Sequence, residues 1–228
     1  LDKTITNIRK LTNPYKFALA FFALCQSCLV KRPYNLFHRK NLYIRTAEVP
    51  RSFGNKTSWD RPFDSWFMTF VAEINHAVFD NGQENIAQHG NALDITAKFD
   101  LVYIDPPYIS LKGSAVDYQW FYHFLEGLSS YDDWPDRLDY RSNHRRLKKQ
   151  PSEWTDKKFI LAAFDRLFNK YQQSILVVSY RNDGIPAESE LKDLLQKYKK
   201  NVQLEHYGPY KYALSKNLDS KEILLIGT

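Results

Sequence analysis

The stretch Phe99-Asp-Leu-Val-Tyr-Ile-Asp-Pro-Pro-Tyr108 limits the fold more than any other part of this chain. Apart from Asp100, its first half is apolar or aromatic and includes β-branched Val102 and Ile104, the composition of a strand buried on both faces. Pro106 and Pro107 must end that strand, because neither has an N–H to give and each fixes φ near about −65°. The strand thus gives way to a stiff turn that sets the Asp105 carboxylate, a backbone carbonyl and the Tyr108 ring side by side. In open α/β sheets ligands sit beyond the carboxyl ends of the strands. This turn is therefore the first candidate for a functional site.

The rest of the chain supplies elements for such a sheet. Ile175-Leu-Val-Val-Ser179 is a second apolar run, again closed by a turn, Tyr180-Arg-Asn-Asp-Gly184. Helices are expected over residues 152–171 and 186–198, the latter with Glu188 and Glu190 at its start and Lys197, Lys199 and Lys200 at its end, matching the helix dipole. Strands at 202–207 and 222–226 close the chain. The order predicts an α/β sheet, mostly parallel, with an antiparallel edge hairpin. Upstream, Asn13-Pro14 starts a helix that runs to Val30 and, being apolar almost all round, should be buried. A second helix is expected over 65–80, ended by Asp80-Asn-Gly82, then a short strand at 85–89 and the turn Gly90-Asn-Ala-Leu-Asp94. Residues 118–124 should be helical.

A net charge of +6 and a pI near 9.1 permit a polyanionic partner without requiring one. Residues 34–64 interleave Arg39, Lys40, Arg51 and Lys56 with Tyr34, Phe37, Tyr43, Phe53 and Trp59. That pattern suits a surface that grips phosphates and stacks on bases, and equally a loop pinned by its aromatics with a solvated basic rim. A second basic run, residues 137–149, includes Arg145 and Arg146, and Lys112 lies just past the candidate turn. Cys25 and Cys28 are the only cysteines. Three apart inside an apolar helix and without a second ligand pair, they read as core thiols rather than a metal or redox site. The apolar run 17–30 is too short to span a bilayer, so no membrane partner is expected, and the absence of a disulfide framework favours the cytoplasm.

The candidate turn suits an exocyclic amine on a nucleobase. Such an amine is a poor nucleophile because its lone pair is delocalised into the ring. Two acceptors on its two hydrogens, the Asp105 carboxylate and the Pro106 carbonyl, would draw the nitrogen toward tetrahedral geometry and aim the lone pair. Rigid prolines serve that positioning, and Tyr108 can stack on the base. A base inside a duplex reaches such a pocket only when flipped out.

LVYIDPPY resembles motif IV of the N(6)-adenine DNA methyltransferases, and the chain looks like their Dam-like group, in which the target-recognition region precedes DPPY. The segments Gly90-Asn-Ala-Leu-Asp94, VDYQWFYHFLEGL, VVSYRNDGIP and KEILLIG extend the resemblance over roughly residues 34–228. It implies a partial Rossmann-like methyltransferase sheet with a helical and loop-rich recognition insertion. Residues 1–84 would be the recognition region and 85–228 the C-terminal part of the catalytic domain. It also implies S-adenosylmethionine as methyl donor, double-stranded DNA as partner and a restriction-modification setting. By the same resemblance Asp105, Pro106 and Pro107 form the amine clamp, Tyr108 stacks on the flipped adenine, and Asp94 lies near the cofactor's adenosine. Arg39, Lys40, Arg51, Lys56, Lys112, Arg145 and Arg146 are the candidate DNA contacts.

One family signature is missing. No two of the eight glycines stand two apart, so there is no Phe-x-Gly-x-Gly turn to let the backbone approach a cofactor. The chain opens on Leu1, which suggests an N-terminally truncated enzyme. Alternatives are one subunit of a split methyltransferase whose partner brings the glycine-rich turn, or a non-catalytic DNA-binding remnant. Methylation of cytosine or of a protein glutamine is a further alternative, although those families usually carry Ser or Asn where Asp105 stands. Isothermal titration of the 228-residue chain with S-adenosylmethionine is expected to show weak binding; micromolar affinity would contradict the importance given to the missing turn.

Overall fold

The computed structural model describes residues 1–31, 58, 60–112, 115, 117–208 and 220–228. The chain forms two compact units, one of residues 1–85 with 118–149, the other of residues 86–117 with 150–228.

The first unit is helical. Helix α1 spans Asp2–Ile8 and α2 spans Pro14–Val30. Asn13 caps α2 as expected, its side chain accepting from the Lys16 N–H at 3.0 Å while Pro14 occupies the first turn, where a missing N–H costs nothing. Helix α3 (Phe63–Ala77) packs on α2. Helices α4 (Tyr118–Phe121), α5 (His123–Ser129) and α6 (Trp134–Arg137) return from the second segment. Ile5, Ile8, Leu24, Cys28 and Leu128 form the core, with Phe17, Phe67, Phe124 and Trp134 packed around it. The indole of Trp134 lies directly over Gly127, where a Cβ would stand 2.0 Å from a ring carbon, so the contact demands glycine. Helix α2 is less buried than its composition suggests. Ala23, Leu24, Ser27 and Cys28 face the core, whereas Tyr15 and Phe22 are exposed. Cys28 is thus a core thiol, while Cys25 is only partly covered.

The second unit holds the sheet. Strand β1 is Leu101–Ile104, followed by helix α7 (Ile160–Lys170), strand β2 (Ile175–Arg181), helix α8 (Glu188–Gln196) and strands β3 (Val202–Tyr207) and β4 (Glu222–Gly227). The strand order is β1-β2-β4-β3. β1 and β2 run parallel with Leu101 opposite Ile175 and Ile104 opposite Val178. The expected hairpin is present, and β4 lies between β2 and β3, antiparallel to both. The described sheet is therefore α/β with one parallel and two antiparallel pairings, fewer parallel than the chain order alone suggests.

Helices α7 and α8 cover one face. Phe164, Leu167 and Phe168 from α7 and Leu191, Leu194 and Leu195 from α8 meet Ile104, Leu176, Val178, Tyr180, Ile223 and Leu225. The period of two then puts Leu101, Tyr103 and Ile175 on the other face, where they are 52, 56 and 41% exposed. This corrects the expectation that β1 is buried on both sides. Two further expectations change. Residues 85–89 form no strand, since no described neighbour offers them a ladder, and the helix foreseen from Ser152 splits into a 3₁₀ turn (Glu153–Thr155) and α7.

Phe164 is fully buried among Trp154, Phe168 and Tyr180, with ring centroids 5.2, 5.6 and 5.7 Å away. Phe164→Ala is expected to cost about 3–5 kcal/mol in urea unfolding, whereas the same change at the exposed Phe159 should stay within about 0.5 kcal/mol.

Candidate active site

Strand β1 ends at buried Ile104, and the prolines turn the chain so that Asp105 stands exposed while Pro106, Pro107 and Tyr108 are half-buried. Tyr108 folds back over the neighbouring strand ends. Its hydroxyl donates to Asp105 Oδ1 at 3.0 Å, and it also lies 2.8 Å from Ser179 Oγ and 3.2 Å from Glu222 Oε1. Ser179 in turn donates to Glu222 Oε1 at 2.7 Å. Burial, opposed by the Ser179 hydrogen bond and reinforced by the charges of Asp105 and Glu222, pushes the Tyr108 phenol far up, so it remains a neutral donor.

A second tyrosine locks this turn to the next one. The Tyr108 ring meets Tyr180 edge-on, with centroids 5.2 Å apart. The buried Tyr180 hydroxyl accepts from the Ile109 N–H at 3.1 Å and donates to the Ile185 carbonyl. The Ile185 N–H returns to the Ile109 carbonyl at 2.9 Å, and Ser110 bridges to Gly184. Burial pushes the Tyr180 phenol to about 12, keeping it protonated in both roles. Arg181 and Asp183 close the far side of this second turn through a bidentate pair at 2.7 and 2.8 Å, with Ser220 donating to Asp183.

Beside the turn lies a cavity of about 380 Å³, walled by Ala92, Ile95, Phe99, Val102, Tyr103, Ile104, Trp154, Leu167 and Tyr171 and rimmed by Asp105, Pro106 and Pro107. Its wall at residues 92–95 is held by hydrogen bonds within the turn and from the end of α7, the Asp94 N–H donating to the Asn91 carbonyl at 2.9 Å. Asn91 accepts from the Leu93 N–H at 3.0 Å, Tyr171 donates to the Ala92 carbonyl at 2.6 Å, and Lys170 reaches the Leu93 carbonyl at 2.6 Å. Asp94 ends this 3₁₀ turn (Ala92–Asp94) and is exposed, while Ala92 and Ile95 on either side of it wall the cavity. Flat apolar walls with a single carboxylate at the rim suit a planar heterocycle better than a sugar or a phosphate.

The chain is 29% identical over 236 residues to the type II methyltransferase M2.HphI of Haemophilus parahaemolyticus, an alignment covering 99% of the chain and 65% of that protein. It is 29% identical over 160 residues to modification methylase StsI of Streptococcus sanguinis, covering 64% of the chain and 22% of that protein. It is 32% identical over 99 residues to modification methylase LlaI of Lactococcus lactis subsp. lactis, covering 43% and 15%. These relatives are modification methyltransferases. The chain spans less than two thirds of the length of each. No family model matches the chain, and no solved structure matches it.

The sequence-derived site residues do not all fall in one place. Asp105, Pro106, Pro107 and Tyr108 form the turn itself, and Asp94 lies in the 3₁₀ turn whose Ala92 helps to wall the cavity. Arg39, Lys40, Arg51 and Lys56 lie outside the described residues. Lys112 is exposed three residues after the Ile109 clamp, and Arg145 and Arg146 belong to the helical unit. There the run 137–149 is a folded loop, closed by an antiparallel bridge between Leu138 and Leu147. Asp139 binds Arg141 at 3.2 Å and Arg146 at 3.4 Å, and these cations, Arg141 first, hold its carboxyl below the usual range against the effect of burial. Arg146 also stacks 4.1 Å from the Trp120 ring centroid, while Arg145, at φ 51°, stacks on Tyr140 and donates to its carbonyl.

Sequence reasoning missed Trp154, Tyr171, Ser179, Tyr180 and Glu222. Only Tyr180 carried a signal, as the aromatic opening the second strand-end turn. Gly184 is the pivot of that turn, since a Cβ there would lie 2.7 Å from both the Tyr180 ring and the Arg181 side chain. Gly184→Ala is therefore expected to destabilise the protein by about 1–3 kcal/mol through overpacking, measured by urea unfolding.

Proposed function

We propose that the chain carries the base-side half of a DNA adenine-N6 methyltransferase. The observation that carries this reading is the Asp105-Pro106-Pro107-Tyr108 turn, anchored through the Tyr108 hydroxyl to β2 and β4 and standing over an aromatic cavity, in a chain similar to modification methyltransferases. The substrate is double-stranded DNA, and the target adenine must leave the stack to reach the turn. Asp105 and the Pro106 carbonyl each accept a hydrogen from the exocyclic amine, which turns the nitrogen's lone pair out of conjugation. Tyr108, tethered at its hydroxyl, offers its ring for stacking. After transfer, the methylated nitrogen still carries both hydrogens and a positive charge. It loses one proton to Asp105, leaving the neutral secondary amine, and the exposed carboxylate passes the proton to water.

S-adenosylmethionine, when bound, supplies an electrophilic methyl group on a sulfonium. The aromatic cavity beside Asp94 fits its planar adenine; a glycine-rich turn for its methionine end is missing from the sequence. The 228-residue chain is accordingly expected to be weakly active by itself. A further segment or subunit bringing that turn would complete the site, and the uncovered Leu101, Tyr103 and Ile175 give it a surface to meet. Residues 1–84, together with Lys112, Arg145 and Arg146, serve target recognition and phosphate contact, and a restriction-modification system in the cytoplasm is the setting. The non-catalytic remnant has less to support it, since the relatives bear methyltransferase names.

The test uses protein expressed from the complete reading frame, tritiated S-adenosylmethionine and DNA from a host lacking methylases. Label should appear in N6-methyladenine, and Asp105→Ala should lower turnover by about 10²–10⁴-fold with the melting temperature held. Label in cytosine would overturn the substrate assignment.

A further inference from the structure

The Tyr108 hydroxyl is a meeting point of groups from separate parts of the sheet. Asp105 comes from the end of β1, Ser179 from β2 and Glu222 from the first residue of β4. Ser179 is fully buried in a strand paired on both sides, so its hydroxyl is a fixed point. Opposite Ser179 on β4 is Leu224, and Glu222 sits opposite Arg181, so the carboxylate reaches Ser179 from two residues along.

Proton counting shows how these four side chains are wired to one another. Their oxygen–oxygen contacts, at 2.7, 2.8, 3.0 and 3.2 Å, share the two hydroxyl protons of Ser179 and Tyr108. A carboxylate oxygen accepts, and the shortest contact, Ser179 to Glu222, takes the Ser179 proton. The Tyr108 proton is then the one hydrogen left for the phenol's contacts with Ser179 Oγ at 2.8 Å and Asp105 Oδ1 at 3.0 Å, so the phenol donates toward both and the Ser179–Glu222 pair holds it as an acceptor. Holding Oδ1 leaves Oδ2 to face the amine. The arrangement also brings two carboxylates to one phenol, a like-charge approach that costs stability and that a simple buried-serine partner would not require.

We infer that Ser179 and Glu222 are positioning residues for methyl transfer, acting through the Tyr108 hydroxyl to fix both the stacking ring and the Asp105 carboxylate. This rests on the reading of the turn given above. Neither residue touches the base; each works by restricting Tyr108. Their removal should therefore slow the chemical step while leaving cofactor affinity unchanged, and should matter only while the Tyr108 hydroxyl is present.

That condition gives a test that a general loss of stability would not imitate. Single-turnover methylation is measured for Asp105→Ala, Ser179→Ala, Glu222→Ala, Tyr108→Phe and the two doubles that combine Tyr108→Phe with each of the others at 179 and 222. The protein is expressed from its complete reading frame, with tritiated S-adenosylmethionine and DNA from a methylase-deficient host. Ser179→Ala and Glu222→Ala are each expected to slow the step by about tenfold, and each double to be no slower than Tyr108→Phe alone. Losses that multiply in the doubles would overturn the inference, as would wild-type rates in both singles. Glu222, at the strand end and only partly buried, keeps the test open if Ser179→Ala fails to fold. The two levels separate cleanly: an active Asp105→Ala sinks the proposed function, while an inactive one beside fully active Ser179→Ala and Glu222→Ala sinks only the positioning role.

Discussion

The parallel register of β1 on β2 is the constraint on which the rest of the site depends. With Ile104 opposite Val178, the first residue past β1 comes level with Ser179, the next residue of β2. The two prolines then remove any choice about where the chain goes. A slip of one residue would reverse the faces, sending Tyr108 away from Ser179 and Asp105 away from the cavity. The register is fixed from the covered face, where Ile104, Leu176 and Val178 are buried under α7 and α8. Site geometry is thus secured by ordinary packing under the helices, and Ile104 and Leu167 of that packing also wall the cavity.

Two tyrosines translate that register into a rigid constellation. Tyr180 points into the core and ties the backbone at Ile109 to Ile185, while Tyr108 points across the strand ends and ties side chains together. Both phenols are kept neutral by burial, so each can donate and accept at once. The edge-on contact between their rings couples the two networks. A carboxylate on a loop would otherwise lose orientation to rotamer freedom; here the loop's own aromatic residue removes it.

Much of this is legible in the sequence, and the remainder is hidden for physical reasons. The strand at Leu101–Ile104, its abrupt end, the capped start at Asn13-Pro14 and the closing hairpin all rest on local rules, in which a few neighbouring residues decide the conformation. The two faces of β1 are not read so easily, because an apolar run reports what a strand can bury, not what lies over it. Ser179 and Glu222 are invisible for a different reason. They stand 71 and 114 residues from Tyr108, and nothing in a buried serine or a strand-end glutamate marks them until the sheet brings them together. Trp154 is hidden likewise, since its place in the cavity wall depends on the 3₁₀ turn before α7.

The uncovered face of β1 and the missing glycine-rich turn belong to one question. Leu101, Tyr103 and Ile175 form an apolar strip continuous with Phe99, itself 44% exposed and part of the cavity wall. Apolar side chains gain about 25 cal/mol for each Å² removed from water, so a strip of this kind favours whatever covers it. On the proposed reading the covering element is the one that carries the cofactor turn. Covering Phe99 and Tyr103 would then close the cavity at the same time as it completed the sheet's second layer. Cofactor binding and stability would be linked through the same residues, because the walls that grip a planar ring are also the surface that the covering element buries.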